Sequence, residues 1–218
     1  MSELRDKWLV SVSGKLSERD RILIERASQL LEDNILQPAN NQPLPWAPFR
    51  GIAPSPYNYR GIWNWDSAFH MLAVGRWDRE LAYEQVKIFL ENQLPSGLLS
   101  DVVFADGSVV DAFGKPPVFP WACYTLDSYS KVSDVEFFKY CHSHFKPYEA
   151  FWRRERGGDA DGLFHYGSTT KGPDHAKEAK YESGWDTSVR WDNGIDNIWP
   201  IDLNCYIAMM YDSLWEMA

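Results

Sequence analysis

Tyr181-Glu182-Ser183-Gly184-Trp185-Asp186-Thr187-Ser188-Val189-Arg190-Trp191 is the stretch on which the reading of this chain turns. Two carboxylates, a glycine that permits close backbone approach, and flanking aromatics stand together without a helical period, so the stretch reads as a loop presenting acids. A carboxylic acid beside apolar rings has its charged form disfavoured and its pKa raised. That is the property a general acid needs near neutral pH. Arg190 pulls a neighbouring carboxylate the other way.

Outward from that loop the periodicity is helical nearly everywhere. Downstream, Leu203, Ile207, Met210, Leu214 and Met217 form one apolar stripe, and Ile201, Cys205 and Ala208 a second. A helix apolar on two sides is expected to be buried between neighbours. This pattern is still running at Ala218, which leads to the expectation that 1–218 is part of a domain continuing beyond that residue. Upstream, Val135, Phe138, His142, Phe145, Tyr148 and Trp152 form the stripe of another helix, with His142 a core histidine. A helix is expected from Pro116-Pro117 to about Val132, and another from Asp66 to Trp77. Asp78 then caps a partner whose Ala82, Val86, Phe89 and Leu90 face inward. The first helix signal is Ser17-Glu18-Arg19-Asp20, followed by Leu23, Ala27, Leu30, Leu31 and Ile35 on one face. Residues 38–60 are a proline-rich loop, of a length that is usually either functional or partly disordered. Leu98–Phe104 and Leu163–Tyr166 read as short extended segments at most, and no strand hairpin is expected.

Composition narrows the function classes. The apolar share of 44% and charged share of 24% are those of an ordinary globular protein. Tryptophan is in surplus, with 11 residues in 218. Indoles beside aspartates suit sugar rings, whose apolar faces stack on aromatics while carboxylates take the hydroxyls. A net charge of −9 argues against nucleic acid, because phosphate binding needs a basic surface. No apolar run approaches the ~20 residues of a spanning helix, and the N-terminus lacks the order of a signal peptide. Cys123, Cys141 and Cys205 are odd in number and lie in apolar segments, as reduced core thiols of a cytoplasmic protein do. No cofactor motif and no metal-ligand cluster is read.

Trp63-Asn64-Trp65-Asp66-Ser67-Ala68-Phe69-His70 sets a carboxylate beside two indoles. Asp66 reads either as a helix cap or as an acceptor for sugar hydroxyls walled by Trp65. With Lys115-Pro116-Pro117, Glu182 to Asp186, and Asp202-Leu203-Asn204, these runs fall in an order that resembles the clan of inverting α-glycosidases containing trehalases and glycoside hydrolase family 63, including mannosylglycerate and glucosylglycerate hydrolases. The resemblance covers roughly residues 55–218. It implies an all-α fold, the N-terminal part of a barrel of six paired helices, (α/α)6, apparently truncated here. It also implies an inverting hydrolase that releases a hexose from a small glycoside or oligosaccharide, with Asp186 as the general acid. By the same matching, Trp65 and Asp66 hold the sugar, with Tyr59 and Arg60 upstream and Lys115, Glu182, Gly184, Trp185 and Arg190 around it. Asp202 and Asn204 buttress the site. The partner implied is a small carbohydrate, without cofactor, metal, nucleic acid or membrane.

Two departures stand out. Lys115 replaces the family's usual Gln, which suits an anionic or differently hydroxylated aglycone. The second is that an inverting enzyme needs a base ~6.5–9.5 Å from the acid, on the opposite ring face. In the family that base lies far downstream, and nothing between Asp186 and Ala218 matches it, so the remaining half of the barrel is expected C-terminal to Ala218 and this part alone is expected to be inactive. A non-catalytic sugar-binding or scaffolding remnant is one alternative. A trehalase is another, weakened by Asn58 where trehalases carry an Arg. Gly157-Gly158-Asp159-Ala160-Asp161-Gly162 reads as a tight turn rather than a calcium loop. Asp174-His175-Ala176-Lys177-Glu178 reads as a solvated segment or a flap over the site.

Overall fold

The computed structural model describes residues 3–38, 43–157, 161–192, 194–195 and 198–218. Its elements run α1 (Glu3–Ser13), α2 (Glu18–Asp33), β1 (Gly61–Trp63), α3 (Asn64–Val74), α4 (Arg79–Glu91), β2 (Val102–Phe104), α5 (Phe119–Asp127), α6 (Val135–Glu155), α7 (His175–Ser183) and α8 (Ile201–Glu216), with one 3-10 turn at Val189–Trp191. The fold is all-α and of barrel type. Helices α3, α5 and α8 stand side by side, α4 packs behind α3, and α6 packs behind α5.

The α3–α4 pair follows from local chemistry. The Asp78 carboxylate accepts from the Leu81 N–H at 2.9 Å, closing the first turn of α4. Ala82, Val86, Phe89 and Leu90 are buried as the spacing predicts. Gln85, fully buried on the same helix, organises the proline-rich segment. Its Oε1 accepts from the Ile52 N–H at 3.0 Å, and its Nε2 donates to the Arg50 carbonyl at 2.8 Å. Arg50 also pairs with Asp78 and Glu84 at 3.0 and 2.6 Å. Between its ends that segment buries Trp46, Ile52 and Ala53, so it is part of the core and not a free loop.

Several expectations are corrected. Strands do form: β1 pairs antiparallel with β2, Ile62 opposite Val103, across the intervening α3–α4 pair. Strands so far apart in sequence leave no hairpin signal. Helix α5 is shorter than expected, because Asp127 turns its carboxylate to the Arg79 guanidinium and the Asp134 N–H. The stripe of α6 is rotated, with Phe137 and Cys141 buried in place of Phe138 and His142. Asp134 caps the helix at the Phe137 N–H, and the Phe137 ring stacks on Tyr83 at 3.8 Å. Leu23 and Leu30 of α2 are exposed; the helix instead buries Ser28, packs Leu31 against the core and holds Arg5 of α1 through Gln29 and Glu32. On α8 the first stripe packs against α5, while Ile201, Cys205 and Ala208 are exposed, uncovered by any described element. Cys205 is therefore a surface thiol, whereas Cys123 and Cys141 are buried with sulfurs 3.9 Å apart. The expected turn at 157–162 falls largely on residues outside those described.

Gln85→Leu keeps the volume but orphans the Ile52 N–H and the Arg50 carbonyl. Urea denaturation followed by tryptophan fluorescence is expected to show a loss of about 2–3 kcal/mol.

Candidate active site

A cleft of about 330 Å³ opens where α3, α7 and the segment before β2 converge, a size usual for small-molecule sites. Pro54, Tyr59, Trp63, Trp65, Asp66, Asp101, Phe113, Lys115, Tyr181, Gly184 and Asp186 line it. Residues from three of the sequence runs thus meet in one place.

The first wall is built by the β1–β2 ribbon. At its end the Asn64 N–H donates to the Asp101 carbonyl at 2.9 Å, and the Asn64 amide donates to the Ser100 carbonyl at 2.8 Å. This fixes the first turn of α3 against residues 99–101 and brings Asp66 near Asp101. Asp66 is inside α3 and is not its cap, which is Trp63 with no side-chain bond. The carboxylate is therefore released to the cleft.

The second wall comes from α7, a helix the sequence reading missed: its period is weak and its cap position makes no side-chain bond. Tyr181 to Ser183 close this helix, so the acid-bearing loop starts at Gly184. Gly184 holds φ of 71°, the left-handed conformation that ends helices at glycine. A Cβ there would stand 2.4 Å from the Trp65 ring. Glycine is thus required twice over, for its backbone angle and for the approach of the indole.

Behind this wall lies Glu182. It does not line the cleft. It is fully buried, with Oε2 and Oε1 accepting from Arg156 Nε and Nη2 at 2.8 and 3.0 Å. Oε2 also accepts from the Gly167 N–H at 2.7 Å. Arg190 and Asp202 likewise bind each other, through two bonds of 3.0 Å, and Tyr166 donates to Asp202 at 3.1 Å. The Asn204 side chain clips the Phe164 backbone at 2.9 and 3.0 Å. These three residues stand outside the cleft lining, as does the exposed Arg60. Trp185 also turns away: its carbonyl accepts from Trp191 Nε1 at 2.8 Å and its ring lies 5.0 Å from the Arg190 guanidinium.

Asp186 lines the cleft and is exposed, so the apolar shielding expected around it is absent. The shielded acid is Asp101, which the sequence reading did not select. Burial pushes its pKa up to about 6, opposed by Lys115 and assisted by Asp66 and Asp186. Its sequence neighbours carry no aromatic signal; its place comes from the long-range strand pairing. Lys115, also buried, has its Nζ 3.4 Å from Asp101 Oδ1 and donates to the Tyr181 carbonyl. Below Asp66 on α3, burial lowers the pKa of His70 and favours the neutral ring.

Such a cleft, with indoles on one side and three carboxylates around one ammonium, suits a polyhydroxylated ligand. Residues 59–210 match the family model described as the mannosylglycerate hydrolase MGH1-like glycoside hydrolase domain. The chain belongs to that family of glycoside hydrolase domains. Among solved structures it is similar to an uncharacterized conserved protein from Thermus thermophilus, at 22% identity and a TM-score of 0.59. That likeness, one of fold, covers 78% of this chain and 39% of the other, so the chain spans well under half of its relative. No curated protein matches the chain. No helix among the described residues is long and apolar enough to cross a membrane.

Glu182→Gln leaves a buried guanidinium without its counter-charge and is expected to cost about 3–5 kcal/mol in chemical denaturation. A Glu182→Leu, Arg156→Met double substitution should recover only part of this, because the Gly167 N–H still loses its acceptor. A second expectation concerns pH. Folded Asp101 keeps its proton to about 6, whereas an unfolded Asp releases it near 3.8. Between those values the folded form binds more protons, so this group makes stability fall as pH rises, by on the order of 3 kcal/mol in all. In melting curves recorded across that range, Asp101→Asn should flatten the dependence.

Proposed function

We propose that the chain is the acid-bearing part of an inverting α-glycoside hydrolase of the family 63 type, acting in the cytoplasm on a small glycoside or oligosaccharide to release a hexose. The observation that carries this reading is the meeting of Trp65, Asp66 and Asp186, from two separate runs of sequence, in one cleft of a glycoside hydrolase domain. In the proposed reaction Trp65 stacks on the sugar and Asp66 accepts from its hydroxyls. Asp186 gives its proton to the glycosidic oxygen as the bond to the anomeric carbon breaks. Its open position agrees with an acid that must reach a leaving group and be reprotonated from solvent. Water then adds from the opposite face, activated by a second carboxylate; the reading leaves that base to residues outside this chain. Glu182, Arg190, Asp202 and Asn204 act through the backbone they hold, as positioning residues.

The test is Asp186→Asn, in the protein carrying the complete domain, on two α-glycosides. With an alkyl aglycone, which needs its proton, the rate is expected to fall by about 10²–10⁴-fold. With a dinitrophenyl aglycone, which leaves as a stable anion, the loss should be far smaller. Equal losses on both, or none, would remove Asp186 from the acid role. The first sugar released should be the β-anomer by proton NMR, and an α-anomer would exclude inversion. Binding without turnover in the complete domain would favour a sugar-binding protein instead.

A further inference from the structure

The Asp101–Lys115 pair differs from the Glu182 pair in leaving hydrogen-bonding capacity at the cleft. Asp101 Oδ1 is buried and accepts no hydrogen bond, although Lys115 Nζ is 3.4 Å away. The residue lines the cleft. Lys115 Nζ has three N–H donors, one of which serves the Tyr181 carbonyl. The Lys115 side chain is 8% exposed and the Asp101 side chain 12%, and both border the cavity. A buried acceptor and a buried donor, fixed side by side with capacity to spare, form a built polar subsite. Its charge also matters. The ammonium already faces Asp101, and Asp66 and Asp186 add two further carboxylates around it. An anionic group entering this floor would meet more negative than positive charge. The expectation that Lys115 suits an anionic aglycone is therefore not supported by its surroundings.

We infer that Asp101 and Lys115 form a specificity-determining subsite that reads two neighbouring hydroxyls of a neutral sugar ring, Asp101 Oδ2 accepting from one and Lys115 Nζ donating to the other. This rests on the reading of the cleft as a sugar site. It adds Asp101 to the residues that select which ring binds, gives Lys115 a defined partner, and excludes a carboxylate-bearing moiety from this part of the cleft. Asp101 neutralises Lys115, and Lys115 keeps Asp101 available as an acceptor, so neither should discriminate alone. Loss of either member is expected to remove selectivity at both hydroxyls.

The experiment measures binding, so it does not depend on turnover. Methyl α-glucoside, methyl α-mannoside, their monodeoxy analogues and D-glycerate are titrated against the protein carrying the complete domain by ligand-observed NMR and calorimetry. At least two adjacent deoxy positions should each weaken wild-type binding by about 10- to 100-fold, the range for a hydrogen bond to a charged group. In Asp101→Asn and, separately, in Lys115→Met, that discrimination should shrink to a few-fold at both positions. Discrimination at the remaining hydroxyls should persist. Melting curves identify any variant that has failed to fold, and the other variant then decides. Wild-type deoxy discrimination retained in both variants overturns the subsite while leaving the sugar-site reading intact. Binding of D-glycerate that is lost in Lys115→Met overturns it too, since the lysine would then be serving an anion. A folded complete domain that binds neither glycoside overturns the sugar-site reading, and the subsite with it.

Discussion

The fully buried ion pair between Arg156 and Glu182 is the constraint on which the site depends. Arg156 ends α6 and Glu182 ends α7, so the pair joins two helix termini that the intervening chain would otherwise leave independent. Two charges leave water to make it, a cost that only good geometry and full hydrogen bonding offset. Both conditions are met on the carboxylate: each oxygen takes a guanidinium N–H, and Oε2 takes the Gly167 amide as well. The Gly114 N–H approaches Oε1 at 3.5 Å, directing residues 112–115 to the same point. Lys115 follows Gly114 by one residue, and Gly184 and Asp186 follow Glu182 by two and four. Three cleft residues are thus placed by short stretches of backbone leading from one buried pair.

The opposite wall is placed by backbone bonds and needs no buried ion pair. Asn64 ties the start of α3 to residues 99–101, and Gln85 ties the proline-rich segment to α4. The two walls then meet at the contact between Gly184 and Trp65. An indole this close to backbone leaves no room for a side chain on the opposing residue. That contact couples the position of Asp186, two residues beyond Gly184, to the position of Asp66, one residue beyond Trp65. A sugar ring bridging the two is held by elements that cannot move apart without breaking one of these ties.

The all-α fold was legible because it rests on local signals. Asp78 as a cap and Ala82, Val86, Phe89 and Leu90 as an inward face need only a few residues of context. What was not legible is what depends on partners distant in sequence. Asp101 is given its place by strands β1 and β2, whose pairing spans two helices, and its own neighbours carry no sign of it. Glu182 sits inside the most distinctive run of the chain and reads as a site residue. Its partner Arg156 ends another helix, and the spacing between them says nothing of contact. The rotated stripe of α6 has the same cause, since Phe137 and Phe138 are equivalent until the Tyr83 ring selects one. Trp65, Asp66 and Asp186 were legible as a group because each stands in a short run with aromatics. Even there, the apolar shelter anticipated for Asp186 failed, because Trp185 is engaged by Arg190 and by Trp191.

Lys115 and Asp101 pose a different question from Glu182 and Arg156, although both pairs are buried. Every group in the Glu182 pair that needs a partner on the carboxylate side has one, so its position is explained by the fold. Among the described residues Asp101 Oδ1 has no hydrogen-bond donor, and burial has carried the pKa of the carboxyl to about 6 in spite of the adjacent ammonium. A pair left in that condition adds little to stability, and well-packed neutral groups of similar volume would do as well or better. The fold uses one Lys115 donor, at the Tyr181 carbonyl, and leaves Asp101 Oδ1 and the remaining ammonium donors at the floor of the cleft unaccounted for. A ligand whose hydroxyls complete the missing bonds does account for them. It would satisfy the carboxylate and the spare ammonium donors together, in a setting where solvent is scarce and each bond counts for more than it would in water.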